Sequence, residues 1–337
     1  MTTTVPNPGS DAVQVGPPVP FDSELAAALG VIRDRMPATF TAEVLPMLRT
    51  AQAEMAELSD EQLSLDGTFD VSERLVPGPA GAPDVSLLIC RPAAATTAVP
   101  ALYFIHGGGM IMGTNRGQGI TDILDSAAQL GVAVVSVEYR LAPEHPHPAP
   151  VEDCYAGLVW TVEHADELGI DPNRIVVSGA SAGGGLAAAT ALLARDRSGP
   201  ALIGQLLLCP MLDDRNNSYS TRQMAGLGIW DRSFNQVGWT ALLGDAQGEP
   251  DASAYAAPAR ETDLSGLPPA FVDVGSAETF RDEAVDYASR IWRAGGVAEL
   301  HVWPGGFHGF AGMAPQAALS QAATAASRDW LRRIFRR

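Results

Sequence analysis

The chain contains no lysine. All 22 basic residues are arginine, set against 39 acidic residues, and the formal net charge is −17. Nucleic-acid binding needs a basic face, so a balance this acidic argues against a nucleic-acid partner. Cysteine is scarce as well. Cys90, Cys154 and Cys209 are odd in number, widely spaced and without a Cys-x-x-Cys pair. A disulfide framework and a cysteine zinc site are therefore not expected, and a reducing cytoplasm suits the chain. Long hydrophobic runs are missing. The most apolar helical stretch, residues 183–194, is far too short to span a bilayer and is rich in alanine and glycine. Residues 1–20 have no basic start and no continuous apolar segment, so they do not read as a secretory signal. Proline, glycine and small polar residues predict a flexible leader there.

What is present is enough for a large core. Of 337 residues, 46% are hydrophobic, which fits one large α/β domain carrying an added subdomain. Apolar positions at helical spacing (Leu25, Leu29, Ile32, Met36; Val44, Met47, Leu48) predict helices over 21–36 and 41–58, separated by Pro37. From residue 68 the texture changes to short β-branched runs alternating with helical stretches. Strands are predicted at 69–76, 85–91, 101–105, 132–137, 174–178, 202–208, 270–274 and 298–303. Helices are predicted at 121–129, 151–165, 182–195, 282–294 and 316–335. Two early hairpin-like strands followed by β-α alternation imply a mostly parallel mixed sheet of about eight strands, with helices on both faces. The interval 211–243 breaks the rhythm and turns helical only near 233–243. With residues 21–60 it is expected to form a helical cap over the carboxyl edge of the sheet, where open α/β sheets bind ligands.

Gly179-Ala180-Ser181-Ala182-Gly183 follows the strand RIVVS and opens the helix AGGGLAAATALLA. A Gly-x-Ser-x-Gly turn between strand and helix forces its serine into an uncommon backbone conformation and exposes the hydroxyl. The helix start supplies free N–H groups and a positive dipole end. His106-Gly107-Gly108-Gly109 follows the strand ALYFI. Glycines there let the backbone approach a substrate and direct N–H groups at one oxygen. The expected oxyanion donors are the amides of Gly107, Gly108 and Ala182, with His106 as a structural hydrogen-bonding residue. A dinucleotide site is a competing reading of this turn, with Glu138 as ribose acid, but Gly-x-Gly-x-x-Gly counted from Gly107 would need glycine at Met112.

Six histidines are present. His308, in GGFHGF after the last predicted strand, is placed to present an imidazole. His301 lies within that strand, His145 and His147 alternate with prolines, and His164 sits at an acidic helix end. None has convincing metal-ligand spacing, so no metal site is expected. The acid that orients a catalytic imidazole should follow a strand between nucleophile and base. Glu278, after FVDVGSA, fits; Asp282 is the reserve. Asp282 and Glu283 also suit a helix start electrostatically.

Together these segments resemble the hormone-sensitive-lipase-like family of bacterial esterases. The resemblance rests on HGGG (106–109), YRLAPEHPHPAPVEDC (139–154), DPNRI (171–175), SGASAGGGLA (178–187), SAETFRDE (276–283) and GGFHGF (305–310). It covers about residues 68–335. It implies an α/β-hydrolase fold, with a catalytic domain at 68–210 and 244–337 and a cap insertion at 211–243. It also implies a serine carboxylesterase acting on short- to medium-chain acyl esters without a cofactor, and frequent homodimers. Two positions depart from the family pattern. Ala180 stands where Asp or Thr is usual, and Glu278 occupies the first position of the usual D-P-L-R-D-E, adding one methylene to the acid. Met110, Met112, Trp230 and Met36 are candidates for an acyl pocket, with Met110 and Trp230 foremost. An amidase or small-molecule deacetylase would use the same triad. A ligand-binding protein on this fold is a further alternative, but the plant gibberellin receptors that resemble the family lack the histidine, and His308 is present.

Overall fold

The computed structural model describes residues 15–34, 41, 43–54 and 57–336, with the side chains of 51–54 and 118 left aside. Eight strands form one sheet: β1 (Phe69–Val76), β2 (Val85–Pro92), β3 (Val99–Ile105), β4 (Ala133–Glu138), β5 (Ile170–Ala180), β6 (Gly204–Leu208), β7 (Ala270–Gly275) and β8 (Ala298–Trp303). Their order is β1-β2-β4-β3-β5-β6-β7-β8. β1 and β2 pair antiparallel, β2 pairs antiparallel with β4, and all later pairs are parallel. The sheet is thus the mixed, mostly parallel one expected of this fold.

The helices are α1 (Ser23–Arg33), α2 (Leu45–Glu54), α3 (Asp60–Leu63), α4 (Thr121–Leu130), α5 (Ala149–Glu163), α6 (Ala165–Leu168), α7 (Ala182–Asp196), α8 (Tyr219–Gln223), α9 (Arg232–Leu243), α10 (Arg281–Arg293), α11 (Phe310–Met313) and α12 (Ala318–Ile334). Among the described residues, no helix is long and apolar enough to cross a membrane.

Alternation along the strands divides the core between the two faces. Tyr103, Val135, Val177 and Val272 point to one face, where α5, α7 and α10 pack. Leu102, Val134, Val176 and Phe271 point to the other, under α4 and α12. β strands buried on both sides read as continuous apolar runs, which is why ALYFI and AVVSV stand out in the sequence. α7 is buried along residues 182–194. Its alanines and glycines are what such close packing allows.

A third, smaller core joins α1 to the far end of the chain. Leu25 and Leu29 meet Ile229, Phe307 and Phe310. Phe21 approaches Phe307 edge-on at 6.5 Å. The 21–36 prediction was too wide at its start: Asp22 caps the helix through its side chain, accepting from Glu24 and Leu25, and so leaves Phe21 outside. α2 also starts later than predicted, at Leu45. Met36 lies outside the described residues. The expected leader boundary at residue 20 also shifts. Residues 15–20 run against the insertion, where the Gly16 amide donates to the Tyr219 hydroxyl and the Pro17 carbonyl accepts from Gln223. α3, α6, α8 and α11 were not anticipated, since one helical turn leaves no periodic pattern to read.

The segment between β4 and α5 is fixed by one buried pair. The Asp153 carboxylate is fully buried and accepts from the Arg140 amide (3.0 Å), Nε (2.7 Å) and a terminal nitrogen (2.7 Å). Only the acid is fully buried; the Arg140 side chain is 22% exposed and can be solvated when its partner goes. Asp153→Ala is therefore expected to lower unfolding stability by about 1.5–3 kcal/mol, the scale of lost hydrogen bonds to a charged group, measured by urea denaturation. A loss below 1 kcal/mol would show that the pair does not hold this segment.

Candidate active site

Ser181 sits at the β5–α7 junction with φ 58° and ψ −123°, a conformation rare for a residue with a side chain. Three backbone hydrogen bonds hold it there. Its amide donates to Leu208 O (2.8 Å), and its carbonyl accepts from Gly185 (3.1 Å) and Met211 (3.0 Å). The turn closes against the end of β3. A Cβ on Gly183 would lie 2.0 Å from the Ile105 carbonyl oxygen, so only glycine fits. The serine side remains partly accessible.

His308 is brought to the serine by the loop after β8. Its Nε2 lies 2.8 Å from Ser181 Oγ. Its Nδ1 lies 3.5 Å from Glu278 Oε2. The Phe280 ring packs edge-on against the imidazole at 5.0 Å and fixes its plane. Burial works against the imidazolium, but the Cys209 sulfur and the Glu278 carboxylate outweigh it and hold His308 above the ordinary imidazole range. The acid and base loops are tied together. Ala277 N donates to Gly306 O (3.1 Å) and Gly305 N to Ser276 Oγ (2.8 Å).

The reserve acid Asp282 is not at the imidazole. Its carboxylate accepts from the Ser220 amide (2.6 Å) and Arg281 Nε (2.8 Å), at the start of α8. Glu283 does more than favour a helix dipole. Fully enclosed, it accepts from the Leu212 (2.7 Å) and Asp213 (3.3 Å) amides and so ties the start of the insertion to α10. Burial pushes its carboxyl well above the usual range.

Gly107 and Gly108 are partly accessible beside Ser181, and a Cβ on Gly107 would stand 3.4 Å from that of the serine. Gly108 has φ +111°, which aims the loop in a direction closed to other residues. Ala182 follows the serine as the first residue of α7. Among the described residues, none of these three amides donates to a backbone carbonyl outside helix and strand. His106 supports the loop. Its ring stacks on Tyr139 at 4.1 Å, and Nδ1 lies 2.8 Å from Gly107 O. Burial pushes it down to about 4, against the Gly107 contact, so it is neutral. Glu138 does not face a ribose site. It accepts from the Asn115 amide at 2.6 Å, and burial pushes it up to about 7.

One pocket expectation needs correction. Met110 is fully buried, with its Cε beside α7 near Gly185, so it belongs to the core. Its φ of 61° turns the side chain inward from the glycine loop. Met112 remains partly exposed beside Gly108. Trp230 lies over the loop, so close that a Cβ on Gly109 would overlap its ring. Its carbonyl accepts from Thr279 Oγ1 at 2.7 Å, which joins the cap to the acid loop.

Sequence reasoning missed Cys209 and Asp273. Cys209 follows β6, and its sulfur lies with Glu278 and His308 in one buried group. Asp273 accepts from the Cys209 amide (3.3 Å) and Trp303 Nε1 (3.2 Å), and burial pushes it up to about 7. No local motif links residues 209, 273, 278 and 308; only the adjacency of β6, β7 and β8 does.

A serine on a strand-to-helix elbow, a histidine at hydrogen-bond distance and a carboxylate behind it define the class of serine hydrolases built on parallel sheets. The comparisons agree: the chain belongs to the α/β-hydrolase fold family, whose model matches residues 102–312. Carboxylesterase NlhH of Mycobacterium tuberculosis is 35% identical over 295 residues, covering 86% of this chain and 90% of that protein. A bacterial heroin esterase superimposes with a TM-score of 0.84 at 40% identity, covering 94% of this chain and 98% of the other. Esterase LipW of Mycobacterium marinum gives 0.82 at 34% identity, covering 94% and 96%.

The geometry separates the two candidate acids. Glu278→Gln is expected to lower kcat on the order of 10³–10⁴-fold, because the amide no longer enforces the correct tautomer. Asp282→Asn is expected to stay within a few-fold of the parent. Steady-state ester hydrolysis checks both, and the reverse order of effects would move the acid to Asp282.

Proposed function

We propose that this protein is a carboxylic ester hydrolase that works through an acyl-enzyme on Ser181, with His308 as general base and acid and Glu278 as orienting acid. The observation that carries the reading is the 2.8 Å approach of His308 Nε2 to Ser181 Oγ on a strained elbow. The relatives named carboxylesterase and esterase support it over most of the chain.

In the reaction, His308 Nε2 takes the proton as Ser181 Oγ attacks the acyl carbon. The Gly107, Gly108 and Ala182 amides receive the charge that develops on the carbonyl oxygen, and each such donor contributes about 3–4 kcal/mol. The imidazolium then hands its proton to the departing alkoxide. Water repeats the sequence on the acyl-enzyme. Glu278 keeps Nδ1 protonated, so Nε2 is free to accept, and it stabilises the imidazolium without taking the proton.

The substrate is a small-molecule ester with a short- to medium-chain acyl group. The Trp230 ring over the glycine loop favours a closed acyl pocket over an open lipid trough. The three free cysteines suit action in the reducing cytoplasm. A homodimer is part of the reading. Among the described residues β8 pairs only with β7, and exposed Val302, Val297 and Trp292 lie at that edge of the sheet.

The first test is hydrolysis of p-nitrophenyl esters from acetyl to palmitoyl. Turnover is expected to be strongest on short chains and abolished in Ser181→Ala. No turnover by folded protein on any chain would overturn the reading. The second test is the pH dependence of kcat/KM. The base must be unprotonated, so activity is lost as pH falls through the His308 pKa. Because that pKa is raised, the acid limb is expected above pH 6.5, the ordinary imidazole value. A profile flat through that region would remove His308 from the base role.

A further inference from the structure

We propose that Cys209, Glu278 and His308 form a binding site for one soft divalent cation, Zn²⁺ or its congener Cd²⁺, and that its occupation switches hydrolysis off. The inhibitory half rests on the esterase reading above; the binding half does not.

One ligand atom from each of the three side chains lies within 4.8 Å of the other two. His308 Nδ1 and Glu278 Oε2 lie 3.5 Å apart. Zinc bonds of ~2.0–2.3 Å place tetrahedral ligands about 3.3–3.8 Å apart. Imidazole and carboxylate already stand at that spacing, and the sulfur has at most about 1 Å to close.

The site also has unmet valence. Glu278 Oε1 has no hydrogen-bond partner among the described residues, and the contact of His308 Nδ1 with Glu278 Oε2 is long at 3.5 Å. Glu278 is 3% and His308 6% exposed, so water is not freely available to them. Buried polar atoms ordinarily find partners, and an unpartnered carboxylate oxygen beside a loosely bonded imidazole and a sulfur points to a shared ligand. Thiolate, imidazole and carboxylate together select zinc-like ions over magnesium or calcium. The other two cysteines offer no such set: Cys90 and Cys154 are fully buried in the core.

Cys209 is held ready by the backbone. Its amide donates to Asp273 O (2.9 Å), its φ is 37°, and its residue keeps a partly open side. On binding, the thiol S–H bond breaks, its electron pair forms the metal–sulfur bond, and the proton leaves to solvent. The metal takes the Nδ1 lone pair, so the single proton of the neutral ring sits on Nε2. Nε2 then faces Ser181 Oγ as a donor and cannot accept the serine proton. Inhibition follows from the tautomer, with no need to displace substrate.

The test titrates Cd²⁺ into the full chain and follows the near-ultraviolet thiolate-to-metal band, then titrates Zn²⁺ against ester hydrolysis with chelator reversal. One equivalent of band is expected in the parent and in Cys90→Ser, and none in Cys209→Ala. Cys209→Ala is expected to keep most of its hydrolysis and to need at least about tenfold more Zn²⁺ for half-inhibition, the scale set by lesser changes around a metal site. Cys209→Ser, read by the band alone, is the second variant should the alanine fail to fold. Equal Zn²⁺ sensitivity in parent and variant, or no band that depends on Cys209, would overturn the proposal. A Cys209-dependent band in a protein that hydrolyses no ester would keep the site and remove the esterase reading. Full activity without the band would do the reverse.

Discussion

Everything at the carboxyl edge of the sheet hangs on the backbone of Ser181. A non-glycine residue at φ 58° costs on the order of 1–3 kcal/mol and persists only when its surroundings over-determine it. They do so here because β5 runs between β3 and β6. β6 supplies the Leu208 carbonyl to the serine amide, and the chain just beyond β6 supplies the Met211 amide to its carbonyl. β3 supplies the floor against which Gly183 closes. The same two strands continue into the glycine loop and into the insertion. One strained residue therefore fixes the relative position of the Ser181 hydroxyl, the glycine loop and the segment after β6.

The second half of the site is organised by buried carboxylates that serve as tethers. Glu283 gathers the amides at 212 and 213, Asp273 gathers the amide of Cys209 and the indole of Trp303, and Glu138 gathers the amide of Asn115. Each is pushed upward by burial, because charge is penalised away from water. Backbone N–H donors offset part of that penalty. These acids tie down backbone at the ends of strands and at the start of the 211–243 segment, which explains why the chain buries several of them.

Much of this was legible in residues. The inner strands were readable because doubly buried strands are nearly pure apolar runs; β1 and β8, at the edges, carry exposed positions and were read from their β-branched and apolar residues. The serine, the glycine loop and His308 were readable because each needs glycine at fixed offsets, and that requirement is local. Glu278 was readable only by its place after a strand. Met110 was misread because the sequence gives no φ: a positive value turns it from the loop into the core. Cys209 and Asp273 were invisible for a different reason. Cys209 lies 69 residues before Glu278, and Asp273 lies 64 residues from Cys209 and 30 from Trp303, so only parallel pairing of β6, β7 and β8 sets them side by side.

Glu278 reaches His308 Nδ1 at 3.5 Å, and the Cys209 sulfur stands beside both. A hydroxyl there would be a strong donor to Glu278 or a strong acceptor from Nδ1, and either bond would weaken the control of the tautomer. A thiol is a weak donor and a weak acceptor, and burial pushes this one upward, which keeps it protonated. It fills the space while leaving Glu278 as the strongest partner of Nδ1. The same softness that makes cysteine a quiet neighbour to the triad makes it a strong ligand for a thiophilic ion.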